Sequence, residues 1–484
     1  MNDRVVNNLT NSLPYFQSAF SLEEFQRRRS RVCEAIGDAV AVVQGFPATG
    51  AMDLFRQHND FFYLCGVEVP HAYLVIEGRS EFSTLYLPPA DAHLAETDGP
   101  EINSDDAELA RQLCGVSEIK PLTALADDLR SKPIVYACQQ RAEGRQACQD
   151  SIRCACRLGD LDPWRSDASQ EVCFAETLSR HLGQVDLRDL SPILNELRRL
   201  KSHAEVKVMR RAGEITAIAV CEAIRSTEPG LLESQLAAIA EYVFLVNGAR
   251  GGGYRPIVAS GENIWNMHYY HNNCRLTDGD MVLFDYAPDY AYYTSDIGRI
   301  WPVNGKYAPW QRELYGFVVD YHLTLLDLIG PGKTPRQIRD EASTRLGPIV
   351  SRTRWSKPQF RDAVEKLITT SRALTHTVGM AVHDESGFQN DDRELEPGLV
   401  FALDPQLWVP EERLYIRVED NVVVNDSGVE NLTPTAPHAP DEVEQLMTEQ
   451  GLLQSRPDLL LEVPRNLRAQ QGTSIIGGLA FSPI

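Results

Sequence analysis

The sequence predicts an α+β protein of two domains, in which a smaller mixed α/β domain precedes a larger one. The chain has 484 residues, more than a single hydrophobic core normally holds. Short apolar strands alternate with helical segments in the first half, whereas two pairs of helices are each followed by strands in the second half. These patterns divide the chain into residues 1–190, residues 195–440 and a C-terminal extension over residues 441–484.

The first domain is predicted to contain a small mixed sheet covered by helices. Residues 21–37 form a helix, because a serine can cap it, glutamates occupy its first turn and a glycine ends it. Residues 39–46 (AVAVVQGF) and 133–138 (PIVYAC) are short buried strands. Residues 60–89 are interpreted as strand pieces, with a hairpin turn at the sequence EGRSE.

The second domain opens with a strongly helical region in which apolar residues recur at helical spacing: Val206, Met209, Ala212, Ile215 and Ala219. Pro229 and Gly230 stop this helix, and a second helix ends at Gly248. Further helices are predicted over residues 308–332 and 334–350. Strands are predicted over residues 254–261, 281–288, 292–303, 399–405 and 414–426. The extension begins as a polar helix and ends in QQGTSIIGGLAFSPI, a docking extension or a loose end.

Charge and hydropathy argue against two classes of partner. Lysine and arginine number 47 and aspartate and glutamate 68, so the net charge is 47 − 68 = −21 and the pI is near 5.0. This balance disfavours nucleic acid or an anionic membrane surface as a partner. No apolar run approaches the roughly 18 residues of a membrane span, and the first residues lack a signal-peptide pattern. We expect a cytoplasmic protein.

The ten cysteines are scattered and contain no C-x-x-C pair. The CAC sequence at Cys154–Cys156 has no partner pair, so a zinc site there is disfavoured. Free thiols in a reducing cytosol fit this distribution better than disulfides.

Two aspartates in the segment FDYAPDYAYYTSDIGR indicate a cation site. Asp285 ends one predicted strand and Asp296 lies in the next, with APDY as the turn between them. Taken singly, each fits a surface position or a strand-end cap. Adjacent antiparallel strands would bring the two carboxylates side by side, where they repel each other unless a cation lies between them. A hard divalent metal ion is the natural candidate.

Further residues of the second domain complete such a site. His376 and His383 lie in LTHTVGMAVHDESG, Asp404 follows the apolar run LVFAL, and Glu419 lies in RVED. Individually these residues fit a core histidine, a strand-end cap and a surface ion pair. Together, four carboxylates and one imidazole predict a two-metal site with oxygen-rich coordination, formed by Asp285, Asp296, His376, Asp404 and Glu419.

These motifs resemble those of the pita-bread metallopeptidases (M24-type), which include Xaa-Pro aminopeptidase, Xaa-Pro dipeptidase, methionine aminopeptidase and the related creatinase. The similarity covers residues 195–440, through LKSHAEVKVMRRAGEIT, PIVASGENIWNMHYYHNN, the two-aspartate segment, HTVGMAVHD, EPGLVFALDP and IRVEDNVVV. The segment QHNDFFYLCGVEVPHAYLVI is similar to the amino-terminal domain of Xaa-Pro peptidases and creatinases, which methionine aminopeptidases lack. The resemblance implies a pita-bread domain after a creatinase-type amino-terminal domain.

The resemblance also implies roles for the candidate ligands. Asp285 would bind one metal ion and His376 the second, while Asp296 and Glu419 would bridge both. Asp404 stands where the family usually has a glutamate ligand. Manganese is favoured by the carboxylate ligands, with zinc, iron and cobalt as alternatives.

Three further residues match family positions on the substrate side. His268 and His383 match the non-ligand histidines that hold the substrate carbonyl and the developing tetrahedral intermediate, and Arg417 matches an arginine near the substrate. The resemblance implies that a hydroxide bridging the metal ions attacks the peptide carbonyl. Homo-oligomers are common in the family, which suggests a homodimer or a higher homo-oligomer.

Two positions depart from the family pattern. Asp404 is one methylene shorter than the family glutamate, which is thought to carry a proton to the leaving nitrogen. Arg372 occupies the position at which Xaa-Pro aminopeptidases usually carry another histidine. Both changes also fit drift within a working enzyme.

The leading functional hypothesis is a peptidase that cleaves the Xaa-Pro bond at the N-terminus of peptides or in dipeptides. A second hypothesis is another enzyme on the same scaffold, such as a creatinase-like C–N hydrolase of small molecules or a sulfonium lyase. A third is a metal-free binding protein, although such proteins have lost the ligands that this chain retains.

Overall fold

The computed structural model describes residues 17–50, 54–164, 168–370, 373–384 and 391–456. The described α-helices are α1 Leu22–Ile36, α2 Asn59–Cys65, α3 Ala92–Thr97, α4 Ala107–Cys114, α5 Leu125–Leu129, α6 Gln149–Gly159, α7 Gln170–Leu182, α8 Ser191–Arg199, α9 His203–Ser226, α10 Glu233–Val246, α11 Pro309–Leu328, α12 Pro335–Arg352, α13 Pro358–Thr370, α14 Pro440–Leu446 and α15 Leu452–Ser455. The described strands are β1 Val40–Gln44, β2 Tyr73–Glu77, β3 Phe82–Leu87, β4 Glu118–Pro121, β5 Ile134–Ala137, β6 Asp186–Asp189, β7 Ile257–Ser260, β8 Met281–Asp285, β9 Ile297–Pro302, β10 Leu374–Thr377, β11 Val400–Leu403, β12 Gln406–Val409, β13 Leu414–Arg417, β14 Glu419–Asn425 and β15 Gly428–Asn431.

The amino-terminal half is built on a mixed six-stranded sheet in the order β4-β3-β2-β1-β5-β6. β1, β2 and β3 are antiparallel neighbours, whereas β4, β5 and β6 join in parallel. β2 and β3 form the predicted hairpin at EGRSE. Fully buried valines and alanines in β1 and β5 explain why these strands were recognisable as short apolar runs.

One element of this half differs from the sequence prediction. Residues 60–65 were interpreted as part of a strand but lie in helix α2. Phe61, Phe62 and Leu64 are all buried, so the segment is apolar on every side and periodicity cannot separate a helix from a strand. Gly66 ends the helix with φ of +68°, the left-handed conformation that glycine adopts at low cost.

The carboxy-terminal half contains an antiparallel sheet in the order β10-β11-β14-β9-β8-β7, with β15 paired to β14. The helix predicted from Val206 onward is α9. It begins with a capping box, in which Ser202 and Glu205 each accept a backbone N–H of the other. Helices α9 and α10 pack against this sheet and enclose the larger hydrophobic core.

Two features of the second half were not predicted, whereas the polar helix predicted at the start of the extension is present as α14. Helix α13 was not recognised, because its buried Phe360, Val364 and Leu367 lie between polar residues on a short segment. The predicted strand over residues 414–426 is two strands, β13 and β14, and β13 forms a separate hairpin with β12. In the extension, α14 and α15 are described, whereas the glycine-rich end of the chain lies outside the described residues.

The connection between β8 and β9 is a long anchored loop, and the predicted tight turn at APDY was wrong. Tyr292 stacks on Phe62 of the amino-terminal half with ring centroids 3.4 Å apart, and its hydroxyl accepts the N–H of Gln57 at 2.7 Å. Ala291 and Tyr292 have φ of +50° and +74°, a conformation that costs non-glycine residues about 1–3 kcal/mol each. Burial of the tyrosine ring offsets this strain and fixes the loop that leads to Asp296.

Two general properties agree with the composition. All ten cysteines are free thiols. None of the helices in the described ranges combines the length and hydropathy that crossing a membrane requires.

We predict that Tyr292→Ala lowers the free energy of unfolding by about 3–5 kcal/mol, because it leaves a cavity against Phe62. Tyr242→Ala is the matched control, since Tyr242 is 54% exposed, and its effect should stay within about 0.5 kcal/mol. Urea unfolding followed by circular dichroism measures both. Equal effects of the two substitutions would contradict the anchoring role of Tyr292.

Candidate active site

Five carboxylate and imidazole side chains meet at one end of the antiparallel sheet. Asp285 ends β8, Asp296 directly precedes β9, His376 lies in β10, Asp404 follows β11 and Glu419 begins β14. These strands are neighbours in the sheet, so residues far apart in sequence become adjacent. The four carboxylates are buried, and the His376 side chain is 21% exposed.

Strand register explains the close approach of the carboxylates. Gly298 of β9 is the cross-strand partner of both Asp285 and Glu419. The hydroxyl oxygen of Tyr254 lies 2.7 Å from Asp285 Oδ1 and 3.0 Å from Asp296 Oδ1, so it joins the two aspartates. Tyr254, a residue that sequence reasoning missed, thereby holds the two aspartates in one place.

Arg417 is the cation that faces most of the carboxylates. Its Nη1 donates to Asp285 Oδ2 at 3.0 Å and its Nε donates to Asp404 Oδ1 at 3.1 Å, while its Nη2 forms an ion pair with Glu419. Gln406, the cross-strand partner of Arg417 in the β12–β13 hairpin, donates from Nε2 to Asp404 Oδ2. Each oxygen of Asp404 therefore accepts a hydrogen bond from this hairpin.

Three histidines lie next to the carboxylate group. His376 Nε2 lies 3.3 Å from Asp296 Oδ2. The His383 ring lies 3.9 Å from the His376 ring and 6.4 Å from the His268 ring, measured between centroids. His268 and His383 are thus next to the candidate ligands.

Burial and neighbouring charges shift the pKa values of these groups in different directions. Burial raises the pKa of Asp285 to about 7, although Arg417 opposes the shift. Burial also opposes ionisation of Asp296, but the hydrogen bond from His376 and the positive charges of His376 and Arg417 together outweigh it and lower the pKa of Asp296. Burial, followed by the charges of His383 and Arg417, lowers the pKa of His268 to about 4, so this ring is neutral at pH 7.

The donor set suits divalent metal ions. Donor atoms of Asp296, His376 and Glu419 all lie within 4.8 Å of one another. Glu419 Oε1 is buried and has no hydrogen-bond partner among the described residues, although a buried carboxylate oxygen normally has one. Four carboxylates face one guanidinium, and divalent cations would neutralise the excess negative charge. The residues present therefore fit a metal centre.

Comparison with known proteins assigns the family. The sequence profile of metallopeptidase family M24 matches residues 207–426, and that of the aminopeptidase P N-terminal domain matches residues 25–134. The Xaa-Pro aminopeptidase of Escherichia coli is 32% identical over 89% of this chain and 98% of its own length. The chain belongs to metallopeptidase family M24. Xaa-Pro aminopeptidase 3 of Mus musculus is 30% identical to this M24 chain, over 81% of the chain and 76% of the mouse protein.

Solved structures agree with this assignment. Aminopeptidase P from Escherichia coli in its low pH form superimposes with a TM-score of 0.72 at 30% identity, over 89% of the M24 chain and 99% of the bacterial one. A zinc-substituted Escherichia coli aminopeptidase P in complex with product gives a TM-score of 0.71 with the same coverage. The predicted α+β architecture with a pita-bread domain is confirmed.

The structure brings together nearly all of the predicted site residues of this M24 chain: Asp285, Asp296, His376, Asp404, Glu419, His268, His383 and Arg417. Arg372, the second departure from the family pattern, lies outside the described residues. Sequence reasoning missed Tyr254, Gln406 and Asp150. Of these three residues, only Gln406 could have been suspected from the sequence, because it lies two residues after the candidate ligand Asp404.

We predict that His376→Ala lowers manganese affinity by more than the roughly 10–100-fold typical of a residue that only supports a ligand. His383→Ala is the matched comparison, because its ring contacts His376 but is not assigned as a ligand. Elemental analysis after dialysis against graded manganese measures both affinities. Equal losses in the two variants would contradict the assignment of His376.

We predict that Gln406→Ala lowers kcat/KM for the substrate about tenfold while metal content stays constant, because Asp404 loses one of its two donors. Gln359→Ala is the control, since Gln359 makes the same kind of hydrogen bond to Glu412 on the surface. Steady-state kinetics and elemental analysis check the result. Unchanged kinetics would show that Arg417 alone is sufficient to hold Asp404.

Proposed function

We propose that this protein is a metal-dependent peptidase that cleaves the Xaa-Pro bond at the N-terminus of peptides or in dipeptides. The observation that carries the proposal is the convergence of Asp296, His376 and Glu419 donor atoms within 4.8 Å, in a chain of family M24. Asp285 and Asp404 complete the proposed ligand set, which would hold two divalent ions. Manganese is the ion we expect, because hard carboxylate ligands dominate.

The metal ions and the protein side chains have separate tasks in this proposal. Bound divalent ions would supply Lewis-acid polarisation of the peptide carbonyl and activation of water. Asp285, Asp296 and Glu419 would keep these ions in a buried setting. Tyr254 would hold Asp285 and Asp296 in place through its hydroxyl.

The non-ligand histidines are assigned to the substrate. His268 and His383 lie beside His376. We propose that these two side chains hold the substrate carbonyl oxygen and stabilise the negative charge that develops on it during attack. Arg417 adds positive charge on the other side of the ligands and keeps Asp404 oriented. These groups are fixed before substrate arrives, which reduces the reorganisation needed in the transition state.

Asp404 is assigned to proton transfer. The nitrogen of proline in a peptide bond carries no N–H, and it must receive a proton to leave as an amine. We propose that a carboxylate oxygen of Asp404 accepts a proton from the attacking water and delivers it to this nitrogen. The hydrogen bonds from Arg417 and Gln406 compensate for the shorter aspartate by fixing where its oxygens lie.

The alternative functions receive less support. The named relatives are Xaa-Pro aminopeptidases, which favours the peptidase over a C–N hydrolase or a lyase on the same scaffold. A metal-free binding protein is disfavoured, because all five ligand-type side chains are present and four of them are buried carboxylates.

Three further properties belong to the proposal. The domains are residues 1–190 and 195–440, followed by the extension 441–484; the two separate sheets support this division. A cytoplasmic location is supported by ten free thiols. We also propose a homodimer or higher homo-oligomer, as expected from the family resemblance.

The decisive experiment combines metal analysis with peptide assays. Metal-free protein prepared with a chelator should be inactive, and manganese should restore cleavage of an Xaa-Pro dipeptide or tripeptide. An otherwise identical tripeptide with alanine in place of proline is the control substrate, and zinc, iron and cobalt are tested in parallel. We expect about two metal ions per chain and at least about a tenfold preference for proline.

The possible failures of this experiment have different meanings. Bound metal without cleavage before proline would indicate a different substrate on the same metal centre. Failure to bind any of the supplied metals would overturn the ligand assignment itself.

A further inference from the structure

An acidic residue of the amino-terminal half reaches into the candidate active site. In the sequence, helix α6 follows strand β5 of the first sheet and precedes strand β6. Asp150 is in the first turn of this helix. Asp150 Oδ2 lies 2.5 Å from His383 Nδ1. Because the His383 ring lies 3.9 Å from the ring of the candidate ligand His376, tilted by 36°, a residue from the other half of the molecule is one side chain away from the candidate metal ligands.

The chemistry of this contact determines how the histidine ring is arranged. An ionised carboxylate can only accept hydrogen bonds. His383 Nδ1 therefore carries a proton and donates a hydrogen bond to Asp150. The other carboxylate oxygen of Asp150 pairs with Arg153 on the next turn of α6. With Nδ1 directed to Asp150, Nε2 lies on the far side of the ring and is the nitrogen available to substrate.

We propose that Asp150 is a positioning residue that fixes the ring orientation of His383 and keeps a proton on its Nδ1, so that Nε2 is presented to the substrate. The proposal rests on the peptidase function proposed above and names the part that the amino-terminal half plays in it.

The backbone next to His383 is fixed independently. Asp384 accepts hydrogen bonds from Arg198 and from Lys201, the latter at 3.1 Å, and Arg198 also pairs with Glu143 at 2.8 Å. All four of these charged groups are buried. The main chain of the His383–Asp384 segment is therefore held in place, and rotation of the imidazole is the freedom that Asp150 removes.

Among the residues that the structure describes around His383, Asp150 is the carboxylate that contacts the ring. The ring faces His376 at 3.9 Å and His268 at 6.4 Å, both imidazoles, while Arg153 lies behind Asp150. Asp296 is engaged by His376 and Tyr254. Loss of Asp150 would therefore leave Nδ1 of His383 exposed to solvent.

The kinetic test uses the full-length, manganese-loaded enzyme. Asp150→Ala should lower kcat for an Xaa-Pro tripeptide about tenfold, change KM less than about twofold and leave metal content unchanged. Asp150→Glu should restore at least about a third of the activity, because it can still accept from Nδ1. Asp160→Ala is the matched control, an exposed aspartate at the C-terminal end of the same helix, and should behave like the wild type.

Outcomes of the kinetic test separate positioning from a general structural effect. A drop confined to Asp150→Ala, with partial recovery in Asp150→Glu, supports the proposal. Equal activity of Asp150→Ala and Asp160→Ala overturns it. A fall in thermal midpoint and metal content in parallel with activity also overturns it, since it would make Asp150 a structural residue only.

A second measurement does not depend on activity. Long-range ¹H–¹⁵N spectra of the zinc-loaded protein with ¹⁵N-labelled histidine report which ring nitrogens carry protons, and His383→Gln identifies the His383 signals. We expect a proton on Nδ1 in the wild type and a mixture of tautomers in Asp150→Ala. An unprotonated Nδ1 in the wild type overturns the proposal, even if peptidase activity is present. If no Xaa-Pro peptide is cleaved, the proposed function fails while this spectrum still tests the contact.

Discussion

Mutual repulsion among four buried carboxylates is the constraint on which the rest of this structure depends. Asp285, Asp296, Asp404 and Glu419 meet at one end of the antiparallel sheet, where solvent cannot screen them. The fold tolerates this because cationic and hydrogen-bonding groups surround the carboxylates, and the set of donor atoms is one that suits divalent metal ions. The Arg417 guanidinium, which contacts three of the four, shows how strongly the site selects for positive charge.

The surrounding elements position the four carboxylates and supply the groups that hydrogen-bond to them. Neighbouring strands supply ligands from distant parts of the chain, and the β12–β13 hairpin supplies the donors to Asp404. The amino-terminal half contributes as well, because Phe62 anchors the loop that precedes Asp296 and Asp150 contacts His383. The site is thus assembled from both halves of the molecule, although every proposed ligand lies in the second.

The sequence predicted the ligand-type residues and most of the elements that carry them, but not the contacts between distant segments. Asp285 and Asp404 were recognisable because the first ends the apolar strand β8 and the second directly follows the apolar strand β11. Asp150 was not, since it lies among polar residues about 230 positions before its partner and carries no local signal. The error at residues 60–65 has a different origin, because burial on all sides removes the periodicity that distinguishes a helix from a strand.

The strained loop at Ala291 and Tyr292 also bears on how proteins of this architecture can diverge. Its left-handed residues are held by the stacking of the Tyr292 ring on Phe62 and by the hydrogen bond from Gln57, so a sequence change on one side of this contact weakens the anchoring of the other side. A chimera that joined the first half of one relative to the second half of another would need matching residues at both positions. The Phe62–Tyr292 contact therefore couples the two halves of this chain, and neither half can be exchanged without regard to the residue that it contacts in the other.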